Sequence, residues 1–365
     1  MKTIPVLNDL KTCLRNVKLN IEKYGLNIQS QFPLPVLSSN TGQISYYSRT
    51  GTLFSQCSNE EEKLLQQYLK LSYKDTLPIH GIWAHTYLKD GFLVNLPAEL
   101  SSTEPYIIEI EAHQNTAIAY VLLVVRENSN AQVVIQYKNT APSHTIVNVI
   151  CEKKSELSLL VCTAQSLHPH YVQVQSTIFD QAHLKQLALA RNANMLQSYT
   201  STHVLGEKAS VYQSHISLSR YQEKHDIYSD IIHTGDHSIS EMQSKIILHD
   251  EAHTIYRGMT TMNQSAINCE STQKEQTLLL GGKAKIDVVP MLAITNDAIQ
   301  CNHSASISNL DTEQLFYLQS RGLAYEEAEK LIIQGFYSDI LKNFSNLALC
   351  ALIHDYLNSE FRVGQ

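Results

Sequence analysis

The chain has 365 residues, 43% of them hydrophobic and 17% charged, a balance that fits a globular protein with a sizeable buried core. A formal net charge of -7 argues against nucleic acid or an anionic membrane surface as the main partner. No run of eighteen apolar residues occurs, and seven scattered cysteines without a C-x-x-C pair argue against a disulfide framework, so a cytoplasmic, reducing setting is expected.

Residues 1–104 read as a mixed, mainly helical region. The first twenty residues carry charges throughout and fit no signal peptide. Leu7, Leu10, Leu14 and Val17 recur at helical spacing, and EEEKLLQQYLKLSYKD aligns Leu64, Leu65, Leu69 and Leu71 on one stripe. Between them QFPLPVLSSNTGQISYYSRTG reads as loop and short strand.

From 105 to 309 the period changes to that of strands. YIIEIEAH, AIAYVLLVV, AQVVIQY, TIVNVICE, LSLLVCTA and YVQVQSTIF alternate or run apolar over strand lengths, and KIDVVPMLAI and AIQCNHSAS continue the pattern. A polar turn followed by a small residue recurs in NSNAQVVI, EKKSELSLL, DQAHLKQLAL, GEKASVYQS, GDHSISEM and DEAHTIYR. Its spacing, roughly 24 to 32 residues, suits the coils of a solenoid. A parallel β-helix is one solution, and a β-sandwich is the alternative. The sandwich would need turns about every 8 to 12 residues. The lack of Asn-Gly or Asp-Gly within 105–309 favours the solenoid.

After Leu310 the period is helical again. Asp311 is placed to cap a helix carrying Leu315 and Leu318, with Gly322 as its C′ residue. A second helix is expected over Tyr325–Ile333, a third over Phe336–Phe344 beyond Gly335, and a last one capped by Ser345 or Asn346. This unit, 310–365, is expected to close the end of the solenoid and blunt its open strand edge.

Cys301 and His303 sit two apart on the last strand, so both side chains leave the same face. A thiolate and an imidazole can both bind iron. Taken alone, the pair reads as a small buried hydrophobe and a satisfied polar residue. His249 and His253 in HDEAH miss the H-E-x-x-H order, and both they and His233 and His237 around Gly235 read as solvated turn residues. No G-x-S-x-G, P-loop or G-x-G-x-x-G is present, so any energy source must be a partner. The acidic run Glu326, Glu327, Glu329 suits a helix start.

Three pieces in order, QCNHSAS, LDTEQLFYLQSRGL and EEAEKLIIQGF, resemble the C-terminal signature of the SufB/SufD family of iron–sulfur cluster assembly proteins. The resemblance implies a right-handed parallel β-helix core between a helical N-terminal region and a C-terminal helical domain. Cys301 and His303 match the SufD form of the motif. Ser304 stands where the SufB form has Glu, and Glu275 stands where SufB has a functional cysteine. The family reading implies a non-enzymatic subunit that pairs with a SufB-like paralogue through the β-helix, or with itself when alone. It implies cluster assembly at an interface holding His303 and Cys301, both as iron ligands of a transient cluster shared with SufB. It also implies docking of a SufC-like ABC ATPase on the C-terminal helices, through Phe316, Tyr317, Arg321, Glu326, Glu327 and Phe336. The alternative of another class is a β-helix carbohydrate-active enzyme, a polysaccharide lyase or esterase. Such an enzyme needs carboxylate clusters or basic residues along a groove, and the sequence shows no stacked Asp pairs.

Overall fold

The computed structural model describes residues 44–48, 50–69, 90–112, 117–139, 142–163, 168–191, 193–344 and 346–358. The helical pattern at Leu7–Val17 lies outside them, as does Leu71.

Among the described residues eighteen strands follow in chain order: β1 (Ile44–Tyr47), β2 (Thr52–Leu53), β3 (Phe92–Leu96), β4 (Tyr106–Ala112), β5 (Ala117–Val125), β6 (Asn130–Asn139), β7 (Ser143–Cys151), β8 (Glu156–Cys162), β9 (His170–Ile178), β10 (His183–Arg191), β11 (Met195–Val204), β12 (Ser210–Ser219), β13 (Lys224–His233), β14 (Ile239–Leu248), β15 (His253–Met262), β16 (Cys269–Leu279), β17 (Lys285–Ile294) and β18 (Ile299–Asn309). From β3 onward they alternate between two parallel sheets, each strand pairing with the one a full coil earlier. The result is a parallel β-solenoid of about seven turns. Two antiparallel strands flank its first coils, β1 on β4 and β2 on β3.

The recurring polar turns are the corners of the coils. Asn128, Lys154, Gln181, Lys208, His237 and Asn268 all adopt φ between 54° and 57°. Five of these six corners are followed by a small residue with no room for more: Ser129, Ser155, Ala182, Ala209 and Ser238 are all at most 1% exposed. A left-handed residue turns the chain and the small one tucks beneath the next coil. At Gly235 a Cβ would lie 2.2 Å from the Gly206 carbonyl oxygen one coil below, so this corner stacks only as glycine.

The middle strands, such as β7 and β12, bury both faces, which is the usual condition of parallel sheets, while β18 is largely exposed. The lumen of the early coils is filled by Val94, Val121, Leu123, Val133, Ile135, Val147, Val149, Leu159 and Val172. Outside the second sheet, helix α1 (Asn59–Leu69) lays Leu65, Tyr68 and Leu69 on Ile118, Tyr120 and Leu122. Outside the first sheet lie three helices, α2 (Thr312–Ser320), α3 (Tyr325–Leu341) and α4 (Leu347–Asn358). Ile333, Tyr337, Ile340, Leu349 and Ile353 pack there with Leu187, Leu189, Ile216, Leu218 and Ile247.

Two expectations about this C-terminal unit are corrected. Gly335 does not divide two helices, because α3 runs through it unbroken. A mid-helix glycine costs about 1 kcal/mol. Burial of Ile333, Tyr337 and Ile340 on either side outweighs that cost. Nor do the helices close the end of the solenoid. They fold back along the flank toward the early coils, where Asn346 Nδ2 donates to the Thr103 carbonyl at 2.7 Å and Tyr356 donates to the Thr163 carbonyl. No described residue covers β17 and β18, which remain the terminal strands of their sheets. The capping expectations hold in detail. Asp311 Oδ1 accepts from Glu313 N and Gln314 N at 2.9 and 3.2 Å, and Asn346 Oδ1 accepts from Leu349 N at 3.0 Å.

Candidate functional site at the open end of the solenoid

Stacking fixes which side chains enter the lumen. On β16, Cys269, Ser271, Gln273, Glu275 and Thr277 alternate with more exposed neighbours. Through the pairing of β16 with β18, Ser271 lies under Cys301, Gln273 under His303 and Glu275 under Ala305. Cys301 and His303 therefore share the lumenal side of the last coil, as their spacing predicts. His303 is exposed and Cys301 half-buried, because no further coil lies over them. Burial raises the Cys301 thiol above its ordinary range, and a hydrogen bond from Ser271 opposes the shift. Across the mouth, Ile286, Val288, Pro290 and Leu292 of β17 are half-buried on the same lumenal side. The mouth thus combines an apolar wall, a thiol, an imidazole and two unpaired strand edges.

One coil below, the lumen turns polar. Gln273 Nε2 donates to Glu275 Oε1 at 2.6 Å, and both side chains occupy the space left by Gly258, where a Cβ would lie 2.2 Å from Gln273 Nε2. The other Glu275 oxygen, Oε2, is buried without a partner. Desolvation pushes this carboxyl up to about 7. Tyr256 enters the lumen beside it.

The histidines differ from their expected roles. His237 is an exposed corner, as expected. His233 is not a solvated turn residue: it ends β13 fully buried in the lumen, where burial holds its pKa at about 4. His249 is half-buried, 3.4 Å from Glu329 of α3, and burial holds it at about 4 as well. His253 lies 2.9 Å from Asp287. The inward position of His233 was readable from the alternation of Ile227, Ser229 and Ile231 before it.

On the C-terminal helices, Phe316 is 73% and Tyr317 56% exposed. The Arg321 guanidinium sits 5.1 Å above the Tyr317 ring. Glu326 and Glu327 are exposed, and Glu327 Oε2 accepts from Ala324 N at 3.1 Å, closing the start of α3. Phe336 is half-buried instead, its ring under the Lys245 ammonium at 4.6 Å. Sequence reading missed Tyr325 and Leu331, which extend the exposed apolar surface of α3. Lys245 Nζ and Asp339 Oδ2, 3.1 Å apart, tie α3 to β14, and Gln243 Nε2 donates to the same carboxylate at 2.8 Å.

These features define the class: a parallel β-solenoid with one open, thiol- and imidazole-bearing end and helices along its flank. The chain belongs to the SufBD core family, described as SUF system FeS cluster assembly, whose pattern matches residues 108–336. It is 29% identical over 146 residues to the iron–sulfur cluster assembly protein SufD of Escherichia coli, covering 40% of this chain and 34% of that one. It is 25% identical over 246 residues to SufD of Bacillus subtilis, covering 63% and 54%. A SufBD family protein of Staphylococcus saprophyticus is 24% identical over 207 residues, covering 56% and 44%. The chain thus spans between a third and about half of the length of these relatives.

Proposed function

We propose that the chain is a SufD-like, non-catalytic subunit of an iron–sulfur cluster assembly complex. The observation that carries this reading is the open last coil, which presents Cys301 and His303 from one face between two unpaired strand edges. An unpaired edge is a template for another strand, and a second β-helix of the same kind, a SufB-like paralogue, would meet it coil on coil. The nascent cluster is the cargo of this interface. The Cys301 thiolate supplies a soft iron ligand and the exposed His303 an exchangeable one. The exposed Phe316, Tyr317, Tyr325 and Leu331 form the surface on which a SufC-like ATPase docks.

The test is co-expression with the SufB and SufC homologues of the same source, comparing His303→Ala with the unaltered chain. The expected outcome is a ternary complex in both cases, with iron and sulfide content reduced in the variant. A chain that stays monomeric with both partners present would overturn the assignment.

A further inference from the structure

Two facing columns of the lumen change character along the solenoid. On the second sheet Val121, Val147 and Val174 give way, rung by rung, to Thr200, Ser229 and Gly258. On the first sheet Ile135 and Val161 give way to Ala188, His215, Ser244 and Glu275. The two columns meet across the lumen. A Cβ on Gly258 would lie 2.5 Å from Glu275 Oε1, and Gln213 Nε2, beside His215, donates to Ser229 Oγ at 2.7 Å. Branched hydrocarbon is thus replaced on both sides by small or polar side chains.

Six polar atoms in and beside these columns find no hydrogen-bond partner among the described residues: Thr200 Oγ1, His215 Nε2, Ser244 Oγ, Tyr256 OH, Gln273 Oε1 and Glu275 Oε2. Their residues are at most 5% exposed. Tyr256 flanks Gly258 on the inward face of β15, and Gln273 flanks Glu275 on that of β16. Polar groups in adjoining columns are paired among themselves, as Gln186 Nε2 with Gln213 Oε1 at 2.6 Å and Ser217 Oγ with His225 Nδ1 at 2.8 Å. A buried polar group is costly when unpaired, and six in one stretch of lumen require a partner that the side chains do not supply.

The mixture of groups identifies that partner. Thr200, Ser244 and Tyr256 each carry a hydroxyl proton to give, while Gln273 Oε1 only accepts and Glu275 Oε2 accepts when ionised. An ion would meet one half of this set and not the other, whereas water both gives and takes. Successive rungs lie about 4.8 Å apart, a span that one water bridges. Val161 and Val174 bound the polar stretch below, and the Gln273–Glu275 hydrogen bond of 2.6 Å marks its upper end, one rung under Ala305.

We propose that the later coils enclose an internal hydration site, a short file of ordered water held between Thr200 and His215 at one end and Gln273 and Glu275 at the other. Ser244 and Tyr256 hold it midway. The ligand is water itself, and the site belongs to the isolated chain whatever partner meets the mouth. Each polar group that the protein leaves unpaired in these columns is paired through solvent.

Oxygen-17 relaxation dispersion of the full-length chain counts its long-lived internal water. Ser244→Val, which restores the branched hydrocarbon of the early coils, is expected to lower the dispersion amplitude by about one water. An unchanged amplitude in a variant with native circular dichroism would overturn the proposal. Should Ser244→Val fail to fold, two isosteric variants give a test by sign. Thr200→Val and Tyr256→Phe each delete a hydroxyl without adding bulk. With water bound, each is expected to lower the melting temperature by about 1–2 °C, because a hydrogen bond is lost. In a dry lumen the same changes remove an unpaired polar group and raise the melting temperature. A rise in both variants would overturn the proposal.

Discussion

The first and second halves of the solenoid share one backbone plan and fill it differently. In the early coils the lumen is mainly hydrocarbon, with Val121, Leu123, Val133, Ile135, Val147 and Val149 fully enclosed, and Thr145 and His170, 3.4 Å apart, are buried polar exceptions. In the later coils the same inward positions hold Gln213, His215, Ser217, Ser244, Gln273 and Glu275. At the boundary the polar groups are paired in a closed set. Gln186 Nε2 donates to Gln213 Oε1 at 2.6 Å and to Thr202 Oγ1 at 3.1 Å, and Gln213 Nε2 donates to Ser229 Oγ at 2.7 Å. Backbone pairing alone therefore maintains the coil, and the side chains inside are free to serve another end. The apolar half supplies stability, and the polar half leads to the open mouth.

That contrast predicts a graded set of effects. The largest belongs to the apolar lumen. Leu123→Ala should lower the unfolding free energy by about 4 kcal/mol, through lost transfer energy and a cavity between rigid strands. Ser244→Ala, a smaller truncation that removes one hydroxyl from the polar lumen, should cost under about 1 kcal/mol. Chemical denaturation of both variants measures the difference, and a loss at Ser244 as large as that at Leu123, despite the smaller truncation, would erase the division.

Glu275 gives the next effect, a dependence on pH. Its carboxyl is pushed from an ordinary 4.5 up to about 7, so the folded state holds a proton that the unfolded chain has already released. Its contribution is fully present below about pH 4.5 and is lost as the pH rises to about 7, by up to about 3 kcal/mol. Glu275→Gln should flatten the fall in melting temperature between those limits and leave the chain more stable at neutral pH. A variant that keeps the wild-type slope would show that the carboxyl is ionised in place.

A smaller effect is expected at the flank. Asp339→Ala leaves the Lys245 ammonium, only 5% exposed, with Gln276 Oε1 at 2.7 Å as its remaining polar partner. Asp339 is itself 38% exposed, so solvent screens part of the pair, and a loss of about 1–2 kcal/mol is expected. Limited proteolysis of the C-terminal helices would detect their loosening. The smallest change in stability, within about 0.5 kcal/mol, belongs to Phe316→Ala and Tyr317→Ala. Pull-down of the SufC homologue should nevertheless fail with the double variant. Retained capture would move the docking surface elsewhere.

Much of this arrangement is legible in the amino-acid sequence. The corner turns showed through because a left-handed residue and a small buried one must follow each other at every coil, as at Lys154–Ser155 and Lys208–Ala209. Cys301 and His303 showed through because a two-residue spacing on a strand fixes a shared face. The role of the C-terminal helices was misjudged because an amphipathic helix declares its apolar side but not what that side covers. The missing signal lay in the strands: Leu187 and Leu189 alternate with the lumenal Ala188 and Ala190, so β10 is apolar on both faces and requires an outer cover. His233 was misplaced for a related reason. Gly235 close by signals a turn, whereas the strand period carries His233 inward.

The strand pairing also orders events in time. Every coil hydrogen-bonds to one completed about 30 residues earlier, so the stack can grow in the order the chain is synthesised, with the hydrocarbon half as the seed. The strand carrying Cys301 is the last rung of its sheet, and β16 is the rung it is set upon. A chain stalled or misregistered at β16 would therefore leave the mouth unformed even where the coils beneath it stand.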